Sequence, residues 1–173
     1  WNLLTTNVVH GAFGAVKVHP ADPTTVYAAT GGKIIKTTDG GANWNTVYSE
    51  NNLWVNEFAI KTDNPNIVLA AADQGLLRSD NGGMTWTKIH NQQTWTVKYK
   101  PADPTTVFAV RTNGAGSDFL VSTDGGAVFT PSGNGWWTPG QGEAVTGAII
   151  AVCPSNPSKL YAYLCGSGSN LVG

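Results

Sequence analysis

Thr37-Thr38-Asp39-Gly40-Gly41-Ala42-Asn43-Trp44 occurs three times in this chain. It returns as Ser79-Asp80-Asn81-Gly82-Gly83-Met84-Thr85-Trp86 and as Ser122-Thr123-Asp124-Gly125-Gly126-Ala127-Val128-Phe129. The shared pattern is a hydroxyl residue, a free position, Asp or Asn, a Gly pair, two free positions and a large aromatic. A Gly pair behind a short polar side chain is turn chemistry, and Asp or Asn accepts hydrogen bonds from the turn's own N–H groups. Short apolar runs precede each box (Ile34-Ile35, Leu76-Leu77, Phe119-Leu120-Val121), and the aromatic opens another. Each box is therefore expected at the tip of a β-hairpin.

The spacing decides the architecture. Trp44 to Trp86 is 42 residues and Trp86 to Phe129 is 43; 43 residues before Trp44 stands Trp1. A period near 42 made of short strands points to propeller blades and away from helical solenoids. A second element recurs between the boxes. Val16–Ala29, with Asp22-Pro23 at its centre, is matched by Val97–Val110 with Asp103-Pro104, and more loosely by Phe58–Ala71 and Ile150–Tyr163. Each reads as strand, Asp-Pro or Asn-Pro turn, strand, because proline fixes φ and is excluded from a central strand. No stretch carries a helical period.

One blade then reads as strand a near 56–61, strand b at 66–72, strand c at 76–79, the box, and strand d from Trp86. In the last repeat, strands a, b and c fall near 146–152, 160–164 and 170–173. The expected fold is all-β: a propeller of four-stranded antiparallel blades in one domain, 1–173, with repeats at about 1–43, 44–85, 86–128 and 129–173. The Ala- and Val-rich strands a and b suit a crowded hub, and the aromatic of each box is expected to pack between blades at the rim. Both ends fall at the same point of the repeat. The chain is thus expected to be part of a larger ring, the alternative being four blades closed by the Trp1 strand. Open edges would pair with remaining blades of a longer chain or with another copy.

Composition narrows the function. Charged residues make up only 12%, against an ordinary ~25%. Thr, Asn, Ser and Gly must solvate such a surface, which favours a secreted, cell-surface or periplasmic setting. The net charge is −1 with scattered lysines, so the basic stripe that nucleic acid needs is absent. No apolar run approaches the ~20 residues of a membrane helix, and no membrane insertion is expected. Cys153 and Cys165 are read as buried free thiols, since they fall at opposite ends of paired strands. His10, His19 and His90 lie in separate repeats without metal-ligand spacing. Neither metal nor cofactor is expected, and no Ser-His-Asp or P-loop arrangement can be assembled.

The boxes resemble the Asp-box, or BNR, repeat over the whole chain, with Asn81 in place of Asp and Phe129 in place of Trp as departures. That family includes sialidases, tandem-propeller xyloglucan-active glycoside hydrolases, sortilin-like receptors and a photosystem assembly factor, commonly with six to eight blades. The resemblance implies that the box is a structural turn on the face away from the usual active site. Thr37, Asp39, Gly41 and Trp44, with Ser79, Asn81, Gly83 and Trp86 and with Ser122, Asp124, Gly126 and Phe129, are then turn staples. A sialidase would need an arginine triad, but the chain has only Arg78 and Arg111.

Function is expected on the opposite face, in the d–a and b–c connections. These hold 50–54, 91–95, Asp73-Gln74, 113–118 and the Gly-rich insert 131–145. Trp136 and Trp137 in the insert, with Trp54 and Trp95, are candidate sugar-stacking platforms. The plainer reading is that one insert Trp fills the gap left by Phe129, and that Trp54 and Trp95 anchor loops. Glu50, Asp73, Asp118 and Glu143, with Glu57, are the carboxylates available should the chain be catalytic; a glycoside hydrolase needs two at ~5 Å or ~6.5–9.5 Å. The sequence favours a non-catalytic module binding polysaccharide or protein. The alternative is part of a xyloglucan-type glycoside hydrolase with its acid and base partly outside this segment.

Overall fold

The computed structural model describes residues 12–133, 136, 144–167 and 171–172. The first sheet holds β1 (Phe13–Val18), β2 (Val26–Thr30), β3 (Lys33–Thr37) and β4 (Asn45–Ser49). The second holds β5 (Val55–Ile60), β6 (Val68–Ala72), β7 (Gly75–Ser79) and β8 (Thr87–His90). The third holds β9 (Thr94–Lys100), β10 (Asp103–Asn113), β11 (Gly116–Ser122) and β12 (Thr130–Pro131), and the fourth β13 (Val145–Val152), β14 (Leu160–Gly166) and β15 (Leu171–Val172). Every sheet is an antiparallel meander in chain order. No helix occurs among the described residues. The first strands touch in succession, β1 on β5, β5 on β9 and β9 on β13, which makes them the hub. The chain is an all-β propeller of antiparallel blades, as its repeat predicts. Trp1 lies outside the described residues.

Strand alternation turns the blades into a stack. In β6, Val68, Ala70 and Ala72 face the first blade and share a core with Tyr27, Ile34, Phe58 and Trp86. Leu69 and Ala71, on the other side of the same strand, pack on Val97, Val107, Ala109 and Leu120 of the third blade. All five β6 residues are fully buried, so the Ala-rich run is the sequence of a strand covered on both faces. Trp86 lies between blades one and two, its ring 6.4 Å from that of Phe58. Burying its ~200 Å² is worth about 5 kcal/mol as an upper bound.

Each hub strand has an irregularity near its start that sequence reading does not anticipate. Val55 pairs with Ala72 and Glu57 with Ala71, which leaves Asn56 as an extra residue. Trp95 is the extra residue between Thr94 and Thr96 in β9, and Thr146 the one between Val145 and Gly147 in β13. A bulge re-aims side chains without ending the strand. Trp95 is thereby turned from the side that Val97 occupies toward the fourth blade, where it joins Val110, Ile150 and Leu164.

Cys153 and Cys165 are free, but Cys165 is exposed and Cys153 half-buried, which corrects the expectation of two buried thiols. Strand β14 presents alternate side chains to the third blade and outward, and Cys165 is on the outward set with Tyr161 and Tyr163.

Candidate functional site

The boxes and the proline turns occupy one face. The first Gly of each box donates its N–H to a turn carbonyl: Gly40 to Thr24 (2.9 Å), Gly82 to Asn66 (2.8 Å) and Gly125 to Thr105 (2.7 Å). Inside each box, the hydroxyl accepts the second Gly's N–H, at 3.0 Å for Thr37, 2.8 Å for Ser79 and 2.9 Å for Ser122. The same hydroxyl donates to the acidic or amide side chain two residues on (2.7, 3.0 and 2.6 Å). That side chain then accepts the N–H four residues further on, Asn43, Thr85 or Val128. Asn81 does what Asp39 does, because an amide oxygen accepts as a carboxylate oxygen does. The Asn43 N–H, the Thr37 hydroxyl and the Asn43 amide together pull the Asp39 pKa from 3.8 to about 2. Donation from Ser122, and then from Val128 and Ala127, lowers that of Asp124. The hydroxyl and the acidic or amide side chain of each box are thus spent on the turn.

The opposite face is assembled by the crossovers: Glu50 N–H donates to Gly32 O (3.1 Å), Asp73 N–H to Trp54 O (2.9 Å), Thr112 N–H to Gln93 O (2.8 Å) and Val145 N–H to Ala115 O (2.8 Å). Its carboxylates are held apart by separate partners. Glu50 accepts from Tyr48 Oη (2.8 Å) and pairs with Lys88 of the next blade (2.6 Å). The Lys88 ammonium holds Glu50 below its usual range against the effect of burial, with the Tyr48 hydroxyl adding to it. Burial and the Glu50 contact push Tyr48 up to about 12. Asp73 accepts from Asn56 Nδ2 (3.0 Å) and Gln93 Nε2 (2.9 Å). Asp118 takes two donations from Arg111 (3.1 and 2.9 Å) and one from Asn113 (2.7 Å).

No two of these three carboxylates share a partner. Glu143 lies outside the described residues. Glu57 is not on the crossover face. It sits in hub strand β5, where Oε2 accepts from Thr96 Oγ1 (2.7 Å) and from the Val97 N–H (3.1 Å), and Oε1 pairs with Lys98. It joins the hub strands of blades two and three. Among the described residues no group of three His, Cys, Asp or Glu side chains is arranged to hold a metal ion.

The four tryptophans part company. Trp54 is on the crossover before β5, 40% exposed, with its backbone N–H bonded to Gln74 Oε1 (3.0 Å). Trp95 is only 9% exposed, with its indole N–H buried and unpartnered among the described residues. It is core rather than rim, because the bulge that contains it turns it inward. Trp137 lies outside the described residues. Trp136 is half-buried, and its ring stacks on Phe119 at 5.2 Å and 26°, which in turn stacks on Phe108 at 5.7 Å and 20°. It does not fill the space beside Phe129. Phe129 belongs to the core between blades two and three, and Trp136 to the core between blades three and four.

A cleft of about 270 Å³ opens at this indole, lined by Ser117, Asp118, Phe119, Pro131, Ser132, Gly133 and Trp136. Trp136 Nε1 donates to Ser117 Oγ (2.9 Å), which leaves the hydroxyl's own proton free to be given. Arg111 fixes the Asp118 carboxylate beside it. An aromatic ring, a hydroxyl donor and an oriented anionic acceptor on one wall suit a polyhydroxylated ligand. Ser117, Arg111 and Asn113 escape a reading by motif. The signal was in hairpin counting: Arg111 and Asp118 are register partners across the Asn113–Gly116 turn.

No family model matches the chain, and no curated protein matches its sequence. Solved structures do. A GH74 enzyme from Niastella koreensis superimposes with a TM-score of 0.62 and 23% identity, over 88% of this chain and 26% of that one. A GH74 xyloglucanase from Xanthomonas campestris gives 0.66 and 15%, over 93% and 27%. An auxiliary nutrient binding protein from Bacteroides thetaiotaomicron gives 0.58 and 14%, over 90% and 36%. The chain thus spans about a quarter of the length of the two enzymes. Identities this low carry the fold and no more, and with the blade topology they identify that fold as a β-propeller.

Proposed function

We propose that this chain is a non-catalytic binding module of an Asp-box propeller, secreted or exposed at a cell surface or in the periplasm, that holds carbohydrate on its crossover face. Its full ring would have six to eight blades. The observation that carries the reading is the cleft at Trp136, where indole, Ser117 hydroxyl and Arg111-fixed Asp118 carboxylate share one wall. The nutrient binding protein among the structural relatives fits such a role. A test is retardation of the chain in gels containing soluble xyloglucan, other β-glucans or mannan. Wild type should be retarded by at least one, and Trp136→Ala should weaken the retardation about tenfold, the loss of roughly 1.4 kcal/mol of stacking and packing. No retardation by any polysaccharide, or retardation indifferent to both Trp136→Ala and Asp118→Asn, would sink the reading; a protein ligand would then be the one to seek.

The GH74 relatives favour a second reading, part of a xyloglucan-type glycoside hydrolase. Its carboxylates would have to be completed from outside the described residues, because Glu50, Asp73 and Asp118 are each committed to different partners. Reducing-end release from xyloglucan, abolished by one carboxylate substitution, would establish it over the first.

A further inference from the structure

Three blades close their crossovers with the same backbone bond. One step beyond the register pairs Val55–Ala72, Thr94–Arg111 and Val145–Gly166, the N–H of Asp73 goes to Trp54 O (2.9 Å), that of Thr112 to Gln93 O (2.8 Å) and that of Ser167 to Ala144 O (2.8 Å). The blades are thus controls for one another. Blades three and four make this bond with Gln93 and Ala144 where blade two has Trp54, and with Thr112 and Ser167 where it has Asp73. The fold therefore asks for neither an indole nor a carboxylate at these two positions.

Packing does not use the two side chains either. Trp54 is 40% exposed, belongs to no core cluster and meets no other ring among the described residues. The other exposed large apolar side chains stand in strands of blades one and four or within the boxes. Yet the backbone under this indole is held on both sides. Gln74 accepts the Trp54 N–H and donates to Asn52 O, Asp73 N–H takes the Trp54 carbonyl, and the neighbouring Leu53 is buried in the core. Asp73 is oriented too: the Asn56 and Gln93 amides both donate to Oδ1, which leaves Oδ2 without a donor among the described residues. No lysine or arginine pairs with it there. A ring on a fixed backbone has little ordering left to lose on binding, and a carboxylate oxygen accepts hydroxyl protons.

These are the ingredients of the Trp136 cleft, an indole beside a carboxylate held by its neighbours. A line of bonds joins the two places. Gln93 gives its amide to Asp73, and its carbonyl takes the Thr112 N–H. The residues on either side of Thr112, Arg111 and Asn113, hold Asp118. The two indoles thus belong to adjacent blades of one face.

We propose that Trp54 and Asp73 form a second sugar subsite, so that the ligand is an uncharged polysaccharide chain held at two points, by Trp54 on blade two and by Trp136 on blade three. This rests on the reading that the crossover face holds carbohydrate. The chain is uncharged because a uronate would set its carboxylate against Asp73, which has no cation beside it. Two contacts with one chain reinforce each other through effective concentration.

The test is retardation of the full chain in gels containing soluble xyloglucan, β-glucan or mannan, with polygalacturonate as the anionic probe. In the gels that retard wild type, Trp54→Ala and Trp136→Ala should each weaken the retardation about tenfold, and the double variant should migrate as in a gel without polysaccharide. Asp73→Asn keeps an acceptor for its two amides and turns the free acceptor into a donor, so it should weaken retardation too. Trp54→Phe, which keeps an aromatic face, should recover part of what Trp54→Ala loses, and the melting temperature should be the same in both. Polygalacturonate should not retard wild type. No retardation by any of the uncharged polymers would sink the carbohydrate reading and the second subsite together. Retardation weakened by Trp136→Ala and untouched by Trp54→Ala would overturn the second subsite alone. Loss with Trp54→Ala and none with Trp136→Ala would overturn the two-point contact, and retardation by polygalacturonate would overturn the uncharged class.

Discussion

On the box face, Gly41, Gly83 and Gly126 each give their N–H to a Thr or Ser hydroxyl in the same way, three times over. On the crossover face, Glu50, Asp73 and Asp118 each have a different set of partners: a lysine and a tyrosine, two amides, an arginine and an asparagine. The difference teaches where each kind of residue is spent. Repetition marks atoms consumed by the turn and the blade interface, and irregularity marks the places where side chains remain to be used. Even the insert obeys this, for Trp136 keeps one ring face on Phe119, gives its indole N–H to Ser117 and lines the cleft beside Asp118.

One glycine from each face separates a packed turn from an open one. Gly83 has φ of 79° and the Tyr27 ring within 2.5 Å of a would-be Cβ. Gly114, in the β10–β11 turn, has φ of 60° and nothing within 4 Å. Gly114→Ala should cost only the left-handed backbone, about 1–2 kcal/mol. Gly83→Ala should add the displacement of a ring pinned by its hydrogen bond to Gly82 O, roughly 1–3 kcal/mol more. Denaturant unfolding of both variants measures the gap, and equal losses would mean that the box is only a turn.

Hydroxyls give the next contrast. Ser79→Ala removes the acceptor of the buried Gly83 N–H and one anchor of Asn81, and should cost about 1–3 kcal/mol. Ser117→Ala removes a half-buried tether of Trp136. It should leave the melting temperature nearly unchanged while weakening polysaccharide retardation. Asp39→Ala should do the reverse, lowering the melting temperature and leaving retardation as in wild type. Lost retardation in folded Asp39→Ala would break the division between the faces.

How much of this was legible beforehand follows the same line. The strands, the boxes and the interblade place of Trp86 could be read because each is written several times, so that a period stands in for an alignment. The Gly pair was legible as a turn but not as a docking point, since the atom that needs the missing Cβ, Tyr27 Cε1, is 56 residues away in the chain. Trp95 was misplaced onto a loop because a bulge has no signature of its own: Thr94-Trp95-Thr96 reads as strand or connection equally well. The cleft escaped because its polar wall is made by register, Arg111 opposite Asp118, and register across a hairpin is counted from a turn whose ends the sequence does not mark.

The last contrast is in acid, where one group on each face can be followed. His90, at the crossover end of β8, is pushed from 6.5 to about 4, by burial first and then by the Arg111 charge. The folded chain therefore keeps His90 neutral where the unfolded chain protonates it. Its contribution to stability is complete above about pH 6.5 and is lost as the pH falls toward 4. Asp39 behaves as a second, lower limb: with its pKa drawn from 3.8 to about 2, its contribution is present above pH 3.8 and is lost as the pH falls toward 2. Asp124 and Glu50, also held below their usual range, share that limb, so Asp39→Asn should shrink it and leave the upper one. It should do so without opening the turn, because Asn81 already closes the second box with an amide. Melting temperature against pH, from 7 down to 2, reads both limbs in one series. If Asp39→Asn left the lower limb at full size, the Asp39 carboxylate would not contribute to it, and if it erased the upper limb, His90 and Asp39 would not be titrating independently.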